Sequence, residues 1–238
     1  MNIITSLQNE AIKNIVKLQA SSGRKKQNRF AVEGLRAINT FIEHGYSPLE
    51  VYCTKDHTFQ NALFVSDNVM QKMSTATTPS GLLAVFKLPE NPPAEKLSSG
   101  IVLANISNPG NTGTLIRSCA AFGYSSVVVV EGCDPFCPKA IQATAGTLPL
   151  VNIFKWTWQD LIKNKQNLKL SALVVSNGKP YQDLDINNAL FVVGNEAHGI
   201  KPEWLEQCDQ LLTLNMPGKT ESLNAAVAGS LALALKTF

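Results

Sequence analysis

From residue 101 onward, short apolar runs recur between stretches patterned for helix, and this alternation leaves the chain few architectures. It predicts strands at Ile101–Asn105, Ser126–Val130, Leu148–Ile153, Leu170–Val175, Ala189–Val193 and Gln210–Leu214. Helices are expected between and after them, at Thr112–Phe122, Pro138–Ala145, Trp158–Lys163 and Glu221–Lys236. A run such as Val127–Val130 has no polar residue at alternate positions, so its strand has no solvent face. Strands of this kind belong to a parallel sheet covered by helices on both sides. The expectation is an α/β fold whose ligands bind at the C-terminal ends of its strands.

The stretch Leu88–Gly100 carries three prolines, two serines and a glycine. Proline fixes φ and removes a backbone donor, so this stretch is no element interior and is read as a linker. The division that follows is a domain over 1–88, a linker over 89–100 and a domain over 101–238. In the first part Thr5 and Gln8 have capping-box spacing, with Leu7, Ala11, Ile15 and Leu18 following at helical intervals. Gly23 is expected to end that helix, and a basic turn, Arg24–Arg29, to follow it. Strands are predicted at Phe30–Glu33, Leu49–Cys53, Ala62–Val65 and Leu82–Phe86, with helices at Leu35–His44 and Asp67–Met73.

Charge is uneven along the chain. Residues 1–96 hold 11 Lys and Arg against 8 Asp and Glu, whereas the remainder balances at 10 and 10. Between Lys13 and Arg36 seven basic residues face one acid, Glu33. Such a cluster suits a polyanion, because neutralised phosphates release condensed counterions; a solvated helix face is the plainer reading. Arg24, Lys25, Lys26, Arg29 and Arg36 are the candidate contacts. Hydrophobic residues make up 45% of the chain, enough for a packed core. No apolar run reaches the ~20 residues of a membrane helix, and no secretory signal opens the chain. Five cysteines, an odd number, read as reduced thiols. A soluble cytoplasmic protein with no membrane partner is expected.

Several familiar signatures fail. Met216–Thr220 echoes a phosphate loop, but the required glycine five residues before Gly218 is Thr213. No GxGxxG follows a first strand, so the ordinary dinucleotide fingerprint is absent. Cys133 and Cys137 have no second pair at zinc spacing, and no metal site is expected. Three other segments stand out as polar and glycine-rich at strand ends: Asn108–Gly113, leading to Arg117; Gly194–Ile200; and Leu214–Asn224, entering the small-residue stretch Ala225–Leu235. Each has an ordinary reading, as an amphipathic arginine, a helix cap or close helix packing.

In order and spacing the three segments resemble the motifs of the SpoU (TrmH) family of RNA ribose 2′-O-methyltransferases, in the SPOUT superfamily. N-x-G-x-x-x-R is matched by Asn111–Arg117, G-x-E-x-x-G-[IL] by Gly194–Ile200, and S-L-N-V-S-V-A by Ser222–Ala228. Pro138–Gly146 also looks like the family's K-A-x-x-x-[ST]-x-G segment. The family often has Asp or Gln at Asn108, and P-M where this chain has Asn215-Met216-Pro217. The first part is similar to the family's L30e-like RNA-binding domain, with Asn9, the basic segment and Phe30–Gly34 as the matching features.

What the resemblance implies is a C-terminal parallel-sheet domain tied in a trefoil knot, an N-terminal L30e-like α/β domain, and a homodimer. It implies S-adenosylmethionine as cofactor, held by Gly194, Ile200, Leu214, Met216, Leu223 and Asn224. Arg117 would act at the reacting oxygen, with Asn111, Glu196, Ser222 and Asn224 beside it and Glu196 ordering Arg117 or the incoming nucleotide. The expected reaction is methylation of a ribose 2′-hydroxyl in structured RNA, with ribosomal RNA placed ahead of transfer RNA. A ribosome-assembly protein that binds RNA without catalysis is the alternative from another class.

Overall fold

The computed structural model describes residues 3–235. The chain divides into two compact units, Met1–Glu90 with Phe136–Pro149 and Asn91–Pro135 with Leu150–Phe238. The first unit contains β1 (Ile3–Ile4), α1 (Glu10–Lys17), α2 (Ser21–Gln27), β2 (Arg29–Glu33), α3 (Leu35–Glu43), β3 (Pro48–Cys53), β4 (Leu63–Val65), α4 (Asp67–Met73) and β5 (Leu82–Lys87). Its sheet runs β1-β4-β3-β5-β2, with β5 antiparallel to both neighbours and β4 parallel to both of its own. Ile12, Ile15 and Leu18 pack with Val69, Met70 and Met73 of α4 against Leu83 and Val85. A second cluster gathers Phe30, Phe41, Phe86 and Phe136, with ring centroids 5.1 to 5.8 Å apart. Phe136 reaches it from the returning segment, whose apolar residues therefore complete this unit's core.

The N-terminal helix differs from expectation. Asn9, not Thr5, caps α1, its side-chain oxygen accepting from the Ala11 N–H at 2.9 Å, and Leu7 stays 45% exposed. Gly23 does not end a helix. It lies inside α2, where a Cβ would collide with the carbonyl of Lys17, so glycine lets α2 pass against the end of α1. Arg24, Lys25 and Lys26 are accordingly helical, not a turn; Asn28, at φ 52°, closes α2 in the left-handed conformation that asparagine tolerates.

The second unit contains β6 (Gly100–Ala104), α5 (Pro109–Ala121) and β7 (Ser126–Val130). The chain then crosses into the first unit through α6 (Pro138–Ala143) and returns with β8 (Asn152–Trp156), α7 (Trp158–Asn164), β9 (Lys169–Leu173), β10 (Ala189–Val193), α8 (Pro202–Leu205), β11 (Gln210–Leu212) and α9 (Ala225–Ala234). All six strands are parallel, in the order β11-β9-β10-β6-β7-β8, and β6, β7 and β10 are buried along their whole length. The apolar runs are thus the two-faced strands the sequence predicts. Leu148–Leu150 is instead a 3-10 turn ahead of β8, and the strands begun at Leu170 and Gln210 stop at Leu173 and Leu212. The last helix begins at Ala225 because Asn224 caps it, and the predicted end at Lys236 lies outside the described residues. Neither β1 nor α8 is foreseen in the sequence.

From β6 the chain steps outward through β7 to β8; β9, β10 and β11 then lie on the other side of β6. β6 and β10 are therefore neighbours whose following segments diverge, the switch point at which an open parallel sheet leaves a crevice beyond its strand ends.

Candidate functional site

The loops leaving β6 and β10 meet at that crevice. Asn108 caps α5, its side-chain oxygen accepting from the N–H groups of Gly110 and Asn111 at 2.8 and 3.4 Å, with Pro109 at the first helical position. This cap starts α5 three residues earlier than expected and places Asn111 inside its first turn, where it is buried. Glu196, from the loop after β10, accepts from the side-chain amide of Asn111 at 2.9 Å. It also accepts from the N–H and hydroxyl of Ser107 at 3.3 and 3.0 Å, the N–H of Asn108 at 3.1 Å and the side-chain amide of Asn195 at 3.4 Å. Asn224 in turn donates its amide to the side-chain oxygen of Asn111 at 3.2 Å, while its own oxygen caps α9. One chain of hydrogen bonds, Glu196–Asn111–Asn224, joins all three motif loops.

Partial burial pushes the Glu196 carboxyl up, but the Asn111 amide and the backbone donors of Glu196, Ser107 and Asn108 outweigh it and hold the pKa at about 2. Glu196 is therefore a fixed anion at neutral pH. Its loop is pinned from below. Gly194 has no room for a Cβ against the backbone of Gly199 and Ile200, and Asn195 exchanges backbone hydrogen bonds with Gly199 at 2.9 Å in both directions. The Asn195 amide donates to the carbonyl of Asn105 at 2.9 Å, tying the β10 loop to the end of β6. Asn105 holds that carbonyl in a left-handed conformation, φ 60°, a strain asparagine bears more easily than most residues. Lys201 bridges to Glu131 at 2.9 Å, binding the same loop to the end of β7.

Arg117 is exposed on α5, and no hydrogen bond or ion pair occupies its guanidinium among the described residues. Of the two roles expected for Glu196, ordering Arg117 or the incoming nucleotide, no hydrogen bond to Arg117 is made, because the turn 107–111 and Asn195 take its acceptor positions. Ser222 is also exposed, without a hydrogen bond to the relay. Ile200 packs against the second unit's core, Leu214 and Met216 are half-buried, and Leu223 is 37% exposed. Among the described residues, no backbone group from Leu214 to Leu223 takes part in a hydrogen bond within the chain. Sequence reasoning missed Ser107 and Asn195 as supports of the site. The Asn108-Pro109 dipeptide, a helix-start signal, could have placed the cap.

Of the basic residues in the first unit, Lys25, Lys26 and Arg36 are exposed. Arg29 is held by Glu50 at 2.7 Å. Arg24 requires a correction. It is 2% exposed, and its guanidinium donates to the carbonyls of Leu18 and Gln19 at 2.9 and 3.1 Å, closing the end of α1 instead of facing solvent. Cys53, Cys119 and Cys208 are free thiols, the first two buried, and no cluster of potential metal ligands forms among the described residues. Among the described residues, no helix is long and apolar enough to cross a membrane.

Comparison with known proteins agrees with this geometry. Residues 98–234 match the SpoU rRNA Methylase family, and residues 9–84 match the MRM3-like substrate binding domain. The chain is 28% identical to the 23S rRNA (guanosine(2553)-2'-O)-methyltransferase RlmP of Bacillus subtilis over 97% of both chains. It superposes on the crystal structure of an RNA 2'-O ribose methyltransferase with a TM-score of 0.83 at 27% identity, covering 98% of this chain and 96% of that one. An AdoMet-bound rRNA methyltransferase from Sinorhizobium meliloti shares the fold, with a TM-score of 0.88 at 23% identity over 98% and 96% of the two chains.

Proposed function

The chain belongs to the SpoU rRNA methylase family, and on that premise we propose that it transfers the methyl group of S-adenosylmethionine to a ribose 2′-hydroxyl of structured ribosomal RNA. The observation that carries this reading is the Glu196–Asn111–Asn224 relay, which fastens three motif loops together at the sheet's switch point. Only RNA presents the 2′-hydroxyl, so the polyanion suggested by the basic first unit is RNA.

The residues present suit the cofactor. Gly194 stands where a Cβ would fill the loop, the backbone from Leu214 to Leu223 keeps its donors and acceptors, and Leu214, Met216 and Leu223 offer partly open apolar surface. With Ile200 and Asn224 they would hold S-adenosylmethionine through backbone and apolar contacts. When bound it supplies a methyl group already activated on a sulfonium, so the protein's task is position. Arg117 takes the phosphate beside the target ribose and stabilises the developing 2′-oxyanion. A guanidinium is a donor only, with no acceptor site for a proton, so Arg117 acts through charge and hydrogen bonds and not as the base. Asn111 and Asn224, fixed by the anionic Glu196, present polar edges to the nucleotide, and Ser222 adds a hydroxyl from the exposed loop.

The same reading assigns a trefoil knot to 101–238 and RNA binding to 1–88, with Lys25, Lys26 and Arg36 as its solvent-facing cations and Arg29 beside Glu50. The free thiols of Cys53, Cys119 and Cys208 suit a cytoplasmic setting. A homodimer is supported by α9, which is apolar on every side but for Ser230, whose hydroxyl is taken by Ser118 and Ala226. Gly229 packs on Leu115, Val193 and Ile101, while Leu223, Val227 and Leu231 form an exposed stripe at four-residue spacing, 37%, 47% and 47% open. A helix apolar all round belongs in an interior, and a second copy of α9 would make one.

The test is methyl transfer from labelled S-adenosylmethionine to total RNA from cells lacking this protein. Label in a large ribosomal RNA is expected. RNA binding without label would overturn the proposal in favour of a non-catalytic binder.

A further inference from the structure

Within the first unit a cleft of about 420 Å³ opens between the end of α1, the β2–α3 junction, the turn before β5 and α6. That volume is in the range of small-ligand sites. Its walls include Leu18, Met73, Leu83 and Ile141, and two charged side chains, Glu33 and Arg36, also line it. Glu33 is held at both oxygens. The Ser74 hydroxyl donates to one at 2.5 Å and the Ser80 N–H to the other at 2.6 Å. No cation pairs with Glu33 among the described residues. An ionised carboxylate has about four acceptor sites, so one on each oxygen is left over. Arg36 is exposed and has no ion-pair partner among the described residues.

We infer that this cleft receives one unstacked guanosine of the substrate RNA, its base between the apolar walls, its N1–H and N2–H₂ donating to the two oxygens of Glu33, and its phosphate on Arg36. The inference rests on RNA being the substrate. Single-stranded RNA is read in this way, by splayed bases stacked on side chains and hydrogen-bonded along their edges. Guanine alone places two donors side by side on its Watson–Crick edge, matching two carboxylate oxygens. Adenine and cytosine offer one donor next to an acceptor nitrogen, and uracil offers one donor between two carbonyls, so each turns lone pairs toward a carboxylate. A basic peptide also fits a carboxylate, but it would meet Arg36 and a unit carrying 11 Lys and Arg against 7 Asp and Glu. The cleft is a recognition site for a nucleotide the first unit holds, distinct in role from the ribose presented to Arg117.

The probe is a set of five-residue oligoribonucleotides, oligouridine with G, A, C or U at the centre, bound to the full chain and followed by fluorescence anisotropy. The G form is expected to bind about tenfold more tightly than the U form, as one bidentate base contact allows. Glu33→Gln turns an amide donor toward the guanine edge and should abolish that preference. Thr78→Trp, at an exposed position on the cleft, should abolish the preference as well, by closing the cleft and bringing the G form down to the affinity of the other three. Equal binding of all four by the wild-type chain, or a G preference that survives either substitution, would overturn the inference. Methylation of ribosomal RNA measured on the same preparation separates the two readings: methylation without base preference sinks this inference alone, whereas RNA binding without methylation sinks the proposed function.

Discussion

Two glutamates, each at the C-terminal end of a strand or just beyond it, are used in opposite ways. Glu196, after β10, accepts five hydrogen bonds and has nothing left to offer. Glu33, at the end of β2, accepts two and lines the cleft of the first unit. A saturated carboxylate is a strut: it fixes the turn 107–111 and, through Asn111, the start of α9. A half-filled one can be a receptor, because its remaining acceptors can exchange water for the donors a ligand brings. The residue type is the same, and the number of donors built around it decides the role.

The comparison breaks first at Arg117, the cation we place at the reacting site and which neither glutamate touches. Arg117→Ala should lower single-turnover methylation by at least about 100-fold, the scale of losing an oxyanion donor, with RNA affinity nearly unchanged. Unchanged methylation would remove it from the catalytic group. Glu196→Gln sets an amide donor against the donors of Ser107 and Asn108, and should cost methylation about 10- to 100-fold. It should leave the base preference of oligonucleotide binding intact; loss of that preference would mean the two carboxylates are not separate in function. Glu33→Gln should do the reverse, with about tenfold weaker binding of the G oligonucleotide and unchanged S-adenosylmethionine affinity by calorimetry.

Titration sharpens the contrast. The Glu196 pKa is lowered to about 2 from an ordinary 4.5, so its contribution to stability is complete above the ordinary value and is lost as pH falls toward 2. Thermal unfolding of the wild type and of Glu196→Gln should therefore differ by a constant amount from pH 7 to pH 5 and converge below it. A difference that shrinks already near neutrality would contradict the strut role. The smallest expected effect separates two neighbouring cations. Lys26→Ala should weaken RNA binding a few-fold and reduce the salt slope by about one. Arg24→Ala should leave RNA binding in place and destabilise the chain by about 1–3 kcal/mol, since it leaves buried carbonyls without a donor.

Legibility followed the same division between local and non-local causes. The buried strands were readable because an apolar run such as Val127–Val130 has one meaning in a parallel sheet. Asn111, Glu196 and Asn224 were readable as motif positions, but not that Asn111 links the other two, since they lie 85 and 113 residues from it. Arg24 misled because a charge count does not say which cation folds back on carbonyls six and five residues before it. Gly23 read as a helix end because the carbonyl it makes room for belongs to the preceding helix. The packing of 136–149 with the first unit left no signal, as Phe136 and Ile141 look like any core residues until their partners are known.

The central claim, that the relay site methylates a ribose, is tested most directly by the chemistry of the labelled product. Ribosomal RNA from cells lacking this protein, methylated by the purified chain and hydrolysed in alkali, should retain one labelled dinucleotide whose phosphodiester resists cleavage because its 2′-oxygen is blocked. Label released as an ordinary mononucleotide would place the methyl group on a base, and the account would be wrong.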